Sequence, residues 1–148
     1  MERINSCLFC GIGQDRIPST KVFENDDVLA FLDLFPIRKG HVQIIPRQHF
    51  AFFDELPTNL LNEIVAVGQL IARAQKSLYK IERAAFLFSG GDVAHVHAHV
   101  VPLHEKTDIT SRQYIAEKSL TFGSPPQATT IELAAVAKEI RSALPQAR

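Results

Sequence analysis

The chain reads Val93-Ala94-His95-Val96-His97-Ala98-His99-Val100-Val101-Pro102, with histidine at every second position from 95 to 99 and small or β-branched apolar residues between. A β-strand sends successive side chains to opposite faces. His95, His97 and His99 would therefore line one face of a strand while Val96, Ala98 and Val100 enter a core on the other. Histidine titrates near neutrality, and its neutral ring can act as nucleophile, general base or metal ligand. Packing alone does not account for three imidazoles in a row.

The rest of the chain must supply a sheet for that strand. A length of 148 residues, 46% of them hydrophobic and 22% charged, fits one domain spanning residues 1–148 with a real core. Lys21-Val22-Phe23-Glu24 and Val28-Leu29-Ala30-Phe31-Leu32-Asp33 flank the turn-rich Asn25-Asp26-Asp27 and predict an antiparallel hairpin. His41-Val42-Gln43-Ile44-Ile45-Pro46 reads as a third strand and Ala84-Ala85-Phe86-Leu87-Phe88 as a fourth, returning through Ser89-Gly90-Gly91 to the histidine strand. Between them, Leu60, Leu61, Ile64, Val67, Ile71, Ala74 and Leu78 recur at helical spacing. Residues 11–19 and 107–127 read as irregular, the latter with at most one helical turn. Thr129-Thr130-Ile131-Glu132 resembles a capping box for a last helix over about 129–144, with Leu133, Val136, Ala137, Ile140 and Leu144 as its apolar stripe.

Charge narrows the partners. Sixteen basic residues balance sixteen acidic ones, so no overall field draws the chain onto nucleic acid or an anionic membrane. A phosphate-bearing ligand must be held locally. Lys21, Lys39 and Arg47 read as solvated charges. The N-terminus lacks the apolar run of a signal peptide and no stretch is long enough to cross a bilayer, so a cytoplasmic location is expected. There the pair Cys7-Leu8-Phe9-Cys10 suits metal binding or redox chemistry better than a structural disulfide, with two free buried thiols as the plain alternative.

These residues resemble the histidine triad, or HIT, family of nucleotide hydrolases and transferases. His95-Val96-His97-Ala98-His99-Val100-Val101 matches its alternating histidine signature. Phe31-Leu32-Asp33-Leu34-Phe35-Pro36, Lys39-Gly40-His41, Ile45-Pro46-Arg47-Gln48-His49 and the Cys pair resemble its bacterial branch over residues 5–103. The resemblance implies an α+β fold with a five-stranded antiparallel sheet, a long central helix and a C-terminal helix, usually as a homodimer. It implies that His97 attacks the α-phosphorus of a nucleoside 5′-phosphoryl compound, giving a nucleotidyl-histidine that water cleaves. His95, His99 and His41 would orient and stabilise charge, Asp33 would accept from the ribose hydroxyls, and Leu34 would lie near the base. Cys7, Cys10, His49 and His95 would form a structural zinc site; no organic cofactor is implied.

Two departures stand out. Ser89-Gly90-Gly91-Asp92 replaces the family's Ala-Gly-Gln with Ser or Thr, so Gly91 and Asp92 stand where phosphate-contacting side chains are common; a carboxylate there repels phosphate unless protonated, paired or turned away. Pro102-Leu103-His104 replaces Pro-Arg, leaving His104 as partial substitute for a missing cation. The reading is a hydrolase of adenosine phosphoramidates or dinucleoside polyphosphates. A nucleotidyltransferase ranks lower, because that branch typically carries glutamine at the position of His99. The alternatives are a nucleotide-binding or signalling module with little turnover, and a catalytic metal site formed by the three histidines themselves.

Overall fold

Five strands form one antiparallel sheet: β1 (Lys21–Glu24), β2 (Val28–Leu32), β3 (Val42–Pro46), β4 (Arg83–Phe88) and β5 (Ala98–Leu103), in the spatial order β1-β2-β3-β5-β4. The structure, a computed structural model, describes residues 7–110, 115–117, 119 and 123–145. The expected hairpin closes as its composition requires. Asn25 Oδ1 accepts from the backbone N–H groups of Asp27 at 3.0 Å and Val28 at 2.8 Å, turning the chain from β1 into β2.

Alternation gives the sheet two buried faces. Val28, Ala30, Leu32, Val42, Ile44, Ala98 and Val100 meet the helices α2 (Thr58–Tyr79) and α3 (Thr130–Ala143), which contribute Leu60, Ile64, Val67, Ile71, Leu133, Val136 and Ile140. On the other face Leu29, Phe31 and Ile45 pack against Phe9 and Ile12. The capping box of α3 is present, with Thr129 Oγ1 accepting from Glu132 N–H at 3.2 Å and Glu132 Oε2 from Thr129 N–H at 2.8 Å.

One buried polar residue in α2 aligns the layers. Gln75 Nε2 donates to the carbonyls of Gly40 at 2.9 Å and Val100 at 3.0 Å, tying the helix to the loop before β3 and to β5. Gly40 adopts φ +88°, and a Cβ there would collide with the Tyr79 hydroxyl, so the turn that delivers His41 needs glycine twice over.

Three expectations change. A helix, α1 (Leu8–Gly13), occupies part of the region expected to be irregular from residue 11. Its glycines at 11 and 13 hide it from propensity, but Cys7 caps it, and Phe9 and Ile12 anchor it by burial. Arg47 is no solvated charge: its guanidinium donates to the carbonyls of Gly13 at 2.6 Å and Asn25 at 2.8 Å and to Glu24 at 2.8 Å, clamping α1 to the hairpin. Lys21 likewise pairs with Asp15 and Glu24 at 2.5 and 2.8 Å, whereas Lys39, 3.6 Å from Glu139, stays a solvated charge as expected. The irregular region expected over 107–127 lies partly outside the described residues. Among the described residues no helix is long and apolar enough to cross a membrane.

Candidate functional site

The histidine segment is only partly a strand. β5 begins at Ala98, so of the three histidines His99 alone sits in the ladder, opposite Gln43 on β3 and Leu87 on β4. β4 ends opposite Ala98, and β3, although it runs on to Pro46, pairs with β5 only as far as Ile44. On one side the Pro46 carbonyl, which could have accepted a ladder bond, accepts instead from the His95 ring, with Nε2 at 3.0 Å. On the other, the chain leaves β4 at Phe88 and turns through Gly90 at φ +61°. Alternation nevertheless persists, because Val96 is buried in the helix-side core and its N–H bonds the Phe50 carbonyl at 2.8 Å.

Donor and acceptor arithmetic fixes the protons on these rings. Ile37 N–H donates to His41 Nδ1 at 3.2 Å, so the proton of neutral His41 is on Nε2, and that atom lies 2.8 Å from His99 Nδ1. His99 then carries its proton on Nε2 and donates to Ser89 Oγ at 3.1 Å. The Ser89 hydroxyl in turn reaches His97 Nε2 at 3.2 Å, while His97 Nδ1–H donates to the His95 carbonyl at 2.8 Å. A directed chain thus runs from His41 through His99 and Ser89 to a lone pair on His97 Nε2. Burial suits it: it lowers the pKa of His41, and with help from the charges of His41 and His97 it lowers His99 to about 4.

Asp33 closes the other end of the chain. Its Oδ1 accepts from Phe35 N–H at 2.8 Å, its Oδ2 accepts from Gln43 Nε2 at 2.6 Å, and Oδ2 lies 3.7 Å from His41 Nε2. Leu34 beside it is 52% exposed, free to meet a ligand. Gly91 and Asp92 are exposed in the turn ahead of the histidines, and the only trace of Asp92 on the site is a weak upward pull on His99. His104 is exposed beyond β5, and its backbone N–H bonds Asp108, whose carboxyl Arg38 holds down at about 2. A pocket of 180 Å³ opens beside His97, walled by Phe52, Phe53, Phe88 and Ser89. A larger cavity of 510 Å³ lies between residues 32–41 and α3, touching the site only through Asp33 and His41.

The second constellation converges behind the first. Cys7 Sγ, Cys10 Sγ, His49 Nδ1 and His95 Nδ1 all lie within 4.8 Å of one another. The sulfur to nitrogen separations are 3.3 to 3.5 Å and the two Nδ1 atoms are 3.2 Å apart. Tetrahedral zinc with ordinary Zn–S and Zn–N bonds needs S–N and N–N edges of roughly 3.5 Å and 3.3 Å, which these four edges match. The Pro46 carbonyl accepts from His95 Nε2–H, leaving Nδ1 as a ligand lone pair, and burial lowers the pKa of that ring to about 4. His95 therefore turns toward the cysteines while His99 turns toward His41 and Ser89. The three histidines do not converge on one point, which argues against a metal site made of the triad alone.

Sequence reasoning missed Phe9, whose ring centroid lies 5.1 Å from that of His97 and 6.0 Å from that of His95, edge-on to both. It also missed Gln43. Both positions fall within apolar patterns whose partners are distant in sequence, and the only local signal was the presence of a glutamine where the strand could have carried hydrocarbon.

The HIT domain family profile matches residues 14–106. An uncharacterised HIT-like protein of Methanocaldococcus jannaschii is 36% identical over 103 residues, 67% of this chain and 80% of that one. The adenosine 5′-monophosphoramidase of Saccharomyces cerevisiae is 30% identical over 128 residues, 86% of this chain and 75% of that one. Among solved structures, a HIT-like protein from Bartonella henselae superposes with a TM-score of 0.76 at 27% identity, covering 95% of this chain and 97% of that one. A zinc-bound histidine triad protein from Mycobacterium smegmatis gives 0.71 at 26% identity, covering 95% and 94%.

Proposed function

Because the chain belongs to the histidine triad family, with its HIT domain match over residues 14–106, we propose that it hydrolyses a nucleoside 5′-phosphoryl bond through His97. The observation that carries this is the locked ring of His97. Its Nδ1–H is held by the His95 carbonyl at 2.8 Å, so the Nε2 lone pair is the nucleophile, and it faces only a mobile hydroxyl proton on Ser89.

In the first step Nε2 forms a bond to the α-phosphorus while the bond to the leaving group breaks and that group departs with a proton taken up from solvent. In the second, water attacks phosphorus and releases a proton to solvent, the P–N bond breaks, and the electron pair returns to Nε2. Negative charge on the phosphoryl oxygens is met by the Ser89 hydroxyl, which reaches the reacting edge of His97, and by His99 Nε2–H, which donates to that hydroxyl. Asp33 and Leu34 receive the ribose and base, His41 orients His99, and the backbone at Gly91 and Asp92 borders the phosphate. The yeast relative's named activity makes an adenosine 5′-phosphoramidate the first substrate to try.

Cys7, Cys10, His49 and His95 would hold zinc, which supplies a closed structural crosslink and no open position for chemistry. The working unit proposed is a homodimer of one-domain chains, acting in the cytoplasm without an organic cofactor. A second reading, a nucleotide-binding module with little turnover, draws on Gly91, which offers no side chain to the phosphate.

The test is AMP release from adenosine phosphoramidates and dinucleoside polyphosphates by the intact protein and His97→Asn, each with and without a chelator. Release should fall by more than about a thousandfold in His97→Asn. Nucleotide binding with no release from the intact protein would transfer the conclusion to the binding module.

A further inference from the structure

Gln43 occupies the centre of the candidate site's floor. On its face of the sheet its neighbours two positions away are His41, just ahead of β3, and Ile45; across the sheet it pairs with Phe31 on β2 and His99 on β5. A hydrocarbon side chain would fill that place among apolar neighbours without polar atoms to satisfy. The amide instead bonds the Asp33 carboxylate, and because a carboxylate oxygen at 2.6 Å needs a donor, the contacting atom is Nε2 and the atom left over is Oε1.

That oxygen is buried and has no hydrogen-bond partner among the described residues. Nearby donors are already engaged: His41 Nε2–H bonds His99, and His99 Nε2–H bonds Ser89. A buried acceptor with no protein donor is costly and uncommon in folded proteins. At the floor of a ligand site its natural partner is a donor that arrives with the ligand. The terminal torsion of an amide is broad, so a small rotation opens Oε1 to such a donor while Nε2 keeps its bond to Asp33.

We propose that Gln43 is a specificity-determining residue that reads the sugar, its Oε1 accepting one ribose hydroxyl while its Nε2 holds Asp33 in place to accept the other. The inference rests on the proposed placement of a ribose at Asp33. A 2′- or 3′-deoxy sugar would leave Oε1 or the carboxylate without its donor, and a site built to bond a hydroxyl discriminates strongly against the analogue that lacks it.

The experiment is calorimetric binding of AMP, 2′-deoxy-AMP and 3′-deoxy-AMP to the intact protein, Gln43→Leu and Gln43→Met, the last guarding against a folding defect in one variant. The intact protein should bind AMP at least about tenfold more tightly than either deoxynucleotide. In the variants one of the two penalties should shrink to less than about threefold while the other, carried by Asp33 still anchored by Phe35 N–H, persists. Two penalties that survive in both variants overturn the assignment, as does equal weakening of all three ligands, which marks a merely structural role. Binding is read without turnover, so the two readings fail separately. Ribose discrimination without AMP release would remove the hydrolase and keep Gln43, whereas His97-dependent release without ribose discrimination would do the reverse.

Discussion

His99 accepts from His41 at Nδ1 and donates to Ser89 from Nε2, and the first of these bonds requires an uncharged ring because an imidazolium has no acceptor. Burial enforces that state by lowering its pKa from 6.5 to about 4, and His41 moves in the same direction for the same reason. Such a group binds its proton more readily in the unfolded chain than in the folded one. Its contribution to stability is therefore complete above about pH 6.5 and is lost as the pH falls toward 4, at up to about 1.4 kcal/mol per pH unit for each group. Urea unfolding midpoints should thus fall between about pH 7 and pH 5, with a shallower slope in His99→Asn. A midpoint that stays flat over this range would show that these rings protonate alike in both states.

Among the elements, α1 depends most on its neighbours. Six residues are far too few for a helix to persist alone, and two of these are glycine, so its place rests on Phe9, Ile12, the Arg47 clamp and the donor set at Cys7 and Cys10. If those thiols hold zinc, Cys10→Ser should abolish metal content and destabilise the protein by about 2 kcal/mol, or roughly 8 °C in Tm. Because Phe9 lies edge-on to His97, AMP release should also slow. Stoichiometric zinc analysis and thermal unfolding decide it: metal-free protein with an unchanged Tm in the variant would reduce the cluster to two buried thiols and two imidazoles. The same element marks the limit of legibility. Strands and long helices announce themselves by period, and β1 was read from Lys21 to Glu24 as it stands. The period of two also ran through residues 93–97, but a ladder needs partners, and Pro46 and the turn after Phe88 withhold them. Gln43 and Gln75 were hidden for a different reason, since their meaning lies in atoms supplied by remote segments.

The whole molecule leaves its two sheet edges in unequal states. β1 is four residues long, carries a register shift between Lys21 and Phe23, and lies against α3, with Arg141 donating to the Lys21 carbonyl. Bulged, short and covered, it is a poor template for another strand. β4 is six residues long, unbroken in register, and pairs along one side only among the described residues. Beside it lie large apolar side chains that a lone chain leaves in water: Phe86 at 38% exposure, Val65 at 40%, Phe52 at 51% and Phe53 at 54%, the last stacked on Phe88. A second copy meeting the first along β4 would satisfy the edge and cover this surface at once, joining two sheets of five into one of ten. The pocket beside His97 shares Phe52, Phe53 and Phe88 with that surface, so the partner would border the side from which the leaving group departs. Sedimentation velocity should therefore find a dimer that Phe86→Glu converts to monomer. In the monomer, release should weaken most for bulky leaving groups and least for unsubstituted adenosine 5′-phosphoramidate. An intact protein that sediments as a monomer would overturn the assembly, and a dimer that withstands the charge at position 86 would place the interface away from β4.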